Sequence, residues 1–145
     1  MSENKSLKKA AGREKLPTAL HEWDLNMAQQ HVSEGLPISL LNDIQKRMRL
    51  SNAEFAEVIR ISPRTLARRR KEERLPPEES ERLFRVGRLF DLAADLFRDD
   101  DDANRWFRES SYPLGNQIPI EIVNTEPGAK LVERVLRHIE WGIPV

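Results

Sequence analysis

No cysteine occurs in the 145 residues, which excludes disulfide staples, thiolate nucleophiles and cysteine-ligated metal centres together. The composition agrees with a cytoplasmic address. The three histidines, His21, His31 and His138, show no metal-ligand spacing, and with only six glycines no glycine-rich phosphate loop is formed. Ser110-Ser111 lacks the glycine context of a nucleophile elbow. An enzyme is therefore not expected, and neither a metal nor an organic cofactor is implied. Long apolar runs are missing as well. Met1 to Lys15 carries lysines with no apolar stretch behind them, so the expectation is a mobile tail, with no secretory signal and no membrane association.

Net charge is the last absence, because 24 basic residues balance 24 acidic ones. The balance is not local. Lys46 to Arg74 holds ten basic and four acidic residues, an excess of six positive charges, whereas Pro76 to Val145 holds nine basic and fourteen acidic, an excess of five negative. Charges further apart than about 8 Å are largely screened at physiological salt, so the local excess sets the field at that stretch. With 39% hydrophobic and 33% charged residues, the chain can hold one domain with a real core or two small modules sharing one.

Within the basic stretch, Ser51 can cap a helix while Glu54 reaches back to the free amide, the reciprocal arrangement of a capping box. That helix would bury Phe55, Ala56 and Ile59. A second starts with Ser62 as cap and Pro63 in the first turn, where a missing amide hydrogen costs nothing, and Leu66 supplies its facing apolar contact. Two short helices with a tight turn between them are the outline of a helix-turn-helix. The N-terminal part of its second helix enters the major groove, which makes Ser62, Arg64, Thr65 and Arg68 candidates for base edges and flanking phosphates. Arg69 is counted with them, lying further along with Arg70, where the two hold phosphate oxygens or face solvent. Two positions depart from the usual pattern: Arg60 stands in the turn where glycine is common, and Arg69 where an apolar residue often packs.

Elsewhere the periodicity is helical. Leu20, Trp23, Leu25, Met27 and Val32 form a loose apolar set ended by Gly35 and Pro37, and Ile38, Leu41, Ile44 and Met48 mark a helix over Ile38 to Arg47. After Leu75-Pro76-Pro77, a wide stripe from Leu83 to Phe97 predicts a helix of about five turns with two neighbours: the helix-turn-helix bundle, and either the C-terminal region or a second copy. Asp99 to Asp102 lacks the alternating ligands and central glycine of a calcium loop and reads as a solvated helix cap. Ile118 to Val123 alternates like a strand, yet Pro119 also suits a short helix. Thr125-Glu126-Pro127 launches a final helix with Ala129, Val132, Leu136 and Ile139 on one side, widened by Val135 and ended by Gly142. The tail beyond it is apolar. Burying one tryptophan of ~150–250 Å² is worth roughly 4–6 kcal/mol before ordering costs, enough for Trp141 to anchor an interface or to hold the tail on its own core.

Three features together, the arginine-rich second helix followed by Leu75-Pro76-Pro77-Glu78, Trp106 through Leu114-Gly115, and Thr125-Glu126-Pro127-Gly128 followed by Arg137-His138-Ile139-Glu140-Trp141-Gly142, resemble the Xre/MbcA/ParS-type antitoxins of bacterial toxin-antitoxin pairs. The resemblance covers roughly Ile38 to Ile143. Where the family commonly pairs two glycines, this chain has Gly115-Asn116. The resemblance implies an all-α protein: an N-terminal tail and short helical segment over 1–36, an Xre-like helix-turn-helix domain over 37–97 and a toxin-binding domain over 98–145. It implies a RES-domain toxin that consumes NAD as partner and operator DNA at the shared promoter; a homodimer is expected with or without a toxin partner, since two-fold symmetric readers bind paired half-sites. The toxin-binding residues it points to are Arg134, Arg137, His138, Trp141, Gly142 and Ile143, and the apolar chain end adds Pro144 and Val145 to them. The rival reading is a plain dimeric helix-turn-helix repressor with no toxin partner.

Overall fold

The computed structural model describes residues 19–143, which fold into eight α-helices and two short 3-10 turns with no strand among them. The lysine-bearing amino-terminal segment, Pro144 and Val145 lie outside the described residues. A 3-10 turn at Leu20–Glu22 leads to α1 (Leu25–Glu34), α2 (Ile38–Arg47), α3 (Asn52–Val58) and α4 (Pro63–Arg69). Then follow α5 (Pro77–Phe97), α6 (Asp100–Arg108), a second 3-10 turn at Tyr112–Leu114, α7 (Pro119–Ile122) and α8 (Glu126–Glu140). The described chain is all-α, as its periodicity and family likeness predict.

α5 is the spine. Its apolar residues Leu83, Val86, Leu89, Phe90 and Ala93 are all buried, and the helix packs on one side against α1 and the first 3-10 turn and on the other against α6 and α8. The second neighbour is thus the chain's own C-terminal region. Phe84 stacks on Trp23 with ring centroids 5.8 Å apart, while Phe90 meets Phe107 of α6 at 6.0 Å. At Gly87 an added Cβ would stand 2.6 Å from the Ile44 Cδ1 and 2.8 Å from the Leu20 Cδ1, so a larger residue there would push the ends of those two side chains aside.

The apolar set before α2 is only partly inward. Asp24 caps α1 by accepting from the Met27 amide, which leaves Leu25 in the first turn facing outward and 88% exposed, whereas Leu20 and Ala28 are buried. Gly35 takes a φ of 93° under the carbonyl of Leu75, and an antiparallel bridge between Pro37 and Arg74 closes the bundle at the base of α3 and α4. Buried Ser80 completes that closure: its hydroxyl accepts from the Leu36 amide at 2.8 Å and donates to the Leu75 carbonyl at 3.3 Å.

In the C-terminal part, Gly115 and Asn116 both adopt positive φ, 67° and 64°, so the tight turn forms with asparagine in the second left-handed position. A bridge from Ser111 to Gln117 spans it. Ile118 to Val123 resolves into the short helix α7, with Pro119 at its start. Gly128 of α8 is held where an added Cβ would lie 1.7 Å from the Ile122 carbonyl oxygen, a contact that only glycine permits. The aspartates after α5 are more than a solvated cap. Asp99 does cap α6, but Asp100 and Asp101 reach back to Arg47 and Arg49 at the end of α2.

Candidate functional site

Two surfaces emerge, one around α3 and α4 and the other along α8. On the first, Ser51 and Glu54 form the full capping box of α3, and the backbone amide and hydroxyl of Ser51 hold the Glu54 carboxyl below the ordinary glutamate range. Arg60 occupies the turn with a φ of 61°, the turn is closed by the Arg60 amide donating to the Glu57 carbonyl and the Ile61 amide to the Ala56 carbonyl, and the Arg60 carbonyl accepts from Arg82 of α5 at 3.1 Å. Ser62 then caps α4. Its hydroxyl accepts from the Thr65 amide at 3.0 Å and bonds the Thr65 hydroxyl oxygen at 2.9 Å. Leu66 is fully buried, so the helix is seated by one apolar side chain and presents its exposed Arg64 and Arg68, one turn apart, to solvent.

Arg69 is placed differently from that expectation. Its guanidinium makes a bidentate pair with Glu79 of α5, both bonds at 2.8 Å, with Glu72 adding a third at 3.3 Å, and the side chain is only 15% exposed. The Glu79 hydrogen bond raises its pKa, and the pair fills the position where an apolar residue would otherwise pack. Arg69 is thus held against α5 rather than standing free in solvent. Arg47 is likewise taken up: burial alone would lower its pKa, but hydrogen bonds to Asp100 and Asp91 outweigh that and keep it charged. With Arg49 paired to Asp101, three of the ten cations in the basic stretch face acidic residues of α5 and α6.

On the second surface, α8 buries Val132, Val135 and Leu136 against the spine and turns Arg134, Arg137, His138 and Trp141 outward along one face. Glu133 receives two hydrogen bonds from Arg88 of α5, at 3.0 and 2.6 Å, which hold its carboxyl below the usual value against the opposing effect of burial. Arg137 sits beside it, 3.6 Å from Glu133 and 3.2 Å from Glu140. At the helix end the Gly142 amide donates to the Ile139 carbonyl and the Ile143 amide to the His138 carbonyl, with Gly142 at φ 68°, the paired closure of a Schellman motif. Trp141 remains 63% exposed and Ile143 45% exposed on this fixed stub. Pro144 and Val145, expected to share in the same surface, lie outside the described residues.

Residues 27–88 match the family of the antitoxin Xre-like helix-turn-helix domain, and residues 92–142 match the antitoxin Xre/MbcA/ParS C-terminal toxin-binding domain. Proteins named Antitoxin Xre from Photorhabdus laumondii and Yersinia enterocolitica are each 32% identical to this chain over 114 residues, covering 77% of it and 77% of their own length. The chain belongs to the Xre family of antitoxins. A chain of the crystal structure of the M. tuberculosis MbcT-MbcA toxin-antitoxin complex shares the fold, with a TM-score of 0.59 and 21% identity over 74% of this chain and 96% of that one.

The two family matches of this Xre-family antitoxin meet inside α5, so one helix serves both surfaces. Several residues that position the antitoxin's two faces carry no motif in the sequence. Asp91, 4% exposed, accepts from the Leu20 amide at 2.8 Å and from Arg47 at 2.5 Å, tying the amino-terminal turn to α2 and α5. Asn104, equally buried, donates to the Arg47 carbonyl at 2.8 Å, and Arg108 donates to the Met48 carbonyl at 2.5 Å and the Arg49 carbonyl at 3.1 Å. Their only sequence signal is a polar residue interrupting an apolar stripe.

Proposed function

We propose that this antitoxin neutralises a RES-domain, NAD-consuming toxin with the outward face of α8 and the tail after it, and that it represses its own promoter as a homodimer through α4. The observation that carries this reading is the tail: Trp141 and Ile143 stand exposed on a helix end fixed by two capping hydrogen bonds. An apolar group held rigidly in water has already lost the freedom that binding would otherwise cost, so its burial against a partner converts more fully into affinity. Arg134, with no ion pair among the described residues, and Arg137 and His138 beside it supply the polar surround of such an anchor.

The DNA reading rests on Ser62, Arg64, Thr65 and Arg68 at the exposed start of α4, without Arg69. A homodimer would present two such helices to half-sites about one helical turn, ~34 Å, apart.

The test is co-expression with the product of the adjacent gene. Wild-type protein should co-purify with it, relieve its growth arrest and restore cellular NAD. A chain lacking residues 141–145 should remain folded by circular dichroism, keep DNA binding and fail to protect. Protection by the truncated chain would overturn the assignment of the tail. Absence of any complex with the neighbouring product would leave a plain repressor.

A further inference from the structure

We infer that Arg70, cradled by the side-chain amides of Asn42, Gln45 and Asn52, is a phosphodiester site that fixes how α4 is seated on nucleic acid; this rests on the DNA-binding reading above.

Arg70 follows directly after α4 and turns toward α2 and the start of α3. Its guanidinium donates to the Asn42 Oδ1 at 2.6 Å, to the Asn52 Oδ1 at 3.0 Å and to the Gln45 Oε1. All three acceptors are neutral. Arg47, Arg49 and Arg69 each pair with carboxylates, whereas half-buried Arg70 forms no ion pair among the described residues. The guanidinium is nevertheless held still, because Gln45 is itself oriented by donating to the Leu50 carbonyl at 3.1 Å and to the Asn52 Oδ1 at 2.9 Å.

The chemistry of the cradle selects its ligand. With their oxygens turned to Arg70, the amides of Asn42 and Asn52 direct their Nδ2 donors away from it, and both residues are exposed. The cluster therefore offers guanidinium and amide N–H groups to solvent while its amide oxygens face inward on Arg70. A group that only accepts hydrogen bonds and carries negative charge fits, which describes a phosphate oxygen. The site lies on the residue that follows α4 and joins it to α2 and the first residue of α3, on the flank of α4 away from Arg64 and Arg68, so its ligand is a backbone that passes that flank rather than the one under the two exposed arginines. Such a contact reads no base. It sets depth and register for the side chains that do.

Two substitutions separate this role from a merely structural tie. Asn42→Asp keeps an acceptor for Arg70, and strengthens the bond, while cancelling the charge; Arg70→Gln removes the charge. The probe is a duplex enriched from a random pool by the immobilised wild-type protein. We expect Asn42→Asp to melt at or above the wild-type temperature yet to bind the duplex about tenfold more weakly, and Arg70→Gln to reduce the slope of log affinity against log salt by about 0.9 per site engaged. Ethylation interference should show one phosphate per half-site that matters to the wild type and no longer to Arg70→Gln. Unchanged affinity and slope in both variants, with Arg64→Ala still defective, would reduce Arg70 to an internal tie and leave the DNA reading intact. Failure to enrich any duplex would remove that reading and this inference with it.

Discussion

Arg69 and Arg70 are neighbours with opposite electrostatic environments, and the difference lies in what the fold brings to each. Glu79 and Glu72 neutralise Arg69, while amide oxygens alone meet Arg70. Replacing Arg69 by alanine should therefore act mainly on stability, at about 1–3 kcal/mol, because Glu79 is left without its partner; removing Glu79 as well should recover part of the loss in a thermal double-mutant cycle. Arg64→Ala and Arg68→Ala should do the reverse, costing about 1–3 kcal/mol in affinity for the selected duplex with little change in melting temperature. If Arg69→Ala weakened DNA binding as strongly as these two at unchanged stability, its placement against α5 would be wrong. Gly128 sets a different constraint. A methyl group there meets the Ile122 carbonyl oxygen, backbone that cannot swing aside as a side chain would, so Gly128→Ala should cost about 1–3 kcal/mol and be read in chemical denaturation of the full chain.

At the scale of elements, what could be read in advance was what neighbours along the chain decide. Ser51 with Glu54, and Ser62 with Pro63, are local devices, and α3 and α4 start where those residues place them. The stripe from Ile38 is equally local and gives α2 its observed span. Longer-range pairing was not legible. Asp100 meets Arg47 from 53 residues away and Asp101 meets Arg49 from 52, and nothing in a run of aspartates names its partner. The segment from Ile118 was ambiguous because four helical residues are too few to show a period, and Pro119 decided for the helix by fitting its first turn. Of the candidate site, the exposed arginines of α4 and the apolar tail were visible in sequence, whereas the diversion of Arg69 required Glu79, ten residues on, to be seen in space. One element-level consequence concerns α8. The Arg88 hydrogen bond holds Glu133 below its ordinary value of 4.5, so the pair stabilises the docking of α8 above that pH and ceases to do so as the pH falls through the lower folded value. Glu133→Gln should thus melt below the wild type near neutrality, by about 1 kcal/mol for a pair that is half-buried and still partly screened, and the gap should shrink progressively below pH 4.5. A gap that stayed constant down to full protonation would remove the ion pair from the account.

At the scale of the whole molecule, the two surfaces share a support. The carbonyls of Arg47, Met48 and Arg49, which close the end of α2 just before α3, are satisfied by Asn104 and Arg108 of α6, and α5 contributes core to both ends of the chain. A helix end buried without such donors would leave acceptors unpaired, at a cost of about 1–3 kcal/mol for each group. The carboxy-terminal module thus completes the helix-turn-helix bundle as well as carrying its own face. Unfolding should then be a single event. Trp23 reports on the amino-terminal packing through Phe84, and Trp106 on the carboxy-terminal packing through Phe97. In chains that retain one of these as the sole tryptophan, fluorescence and far-ultraviolet circular dichroism should give coincident transitions. Asn104→Ala should move both transitions down together, since it removes the donor to Arg47 and frees Arg108 from its anchor on the Asn104 side chain. Separate midpoints, with only the Trp106 transition displaced, would mean that the modules are joined in sequence and independent in energy, and that occupation of the α8 face has no route through this contact to α4.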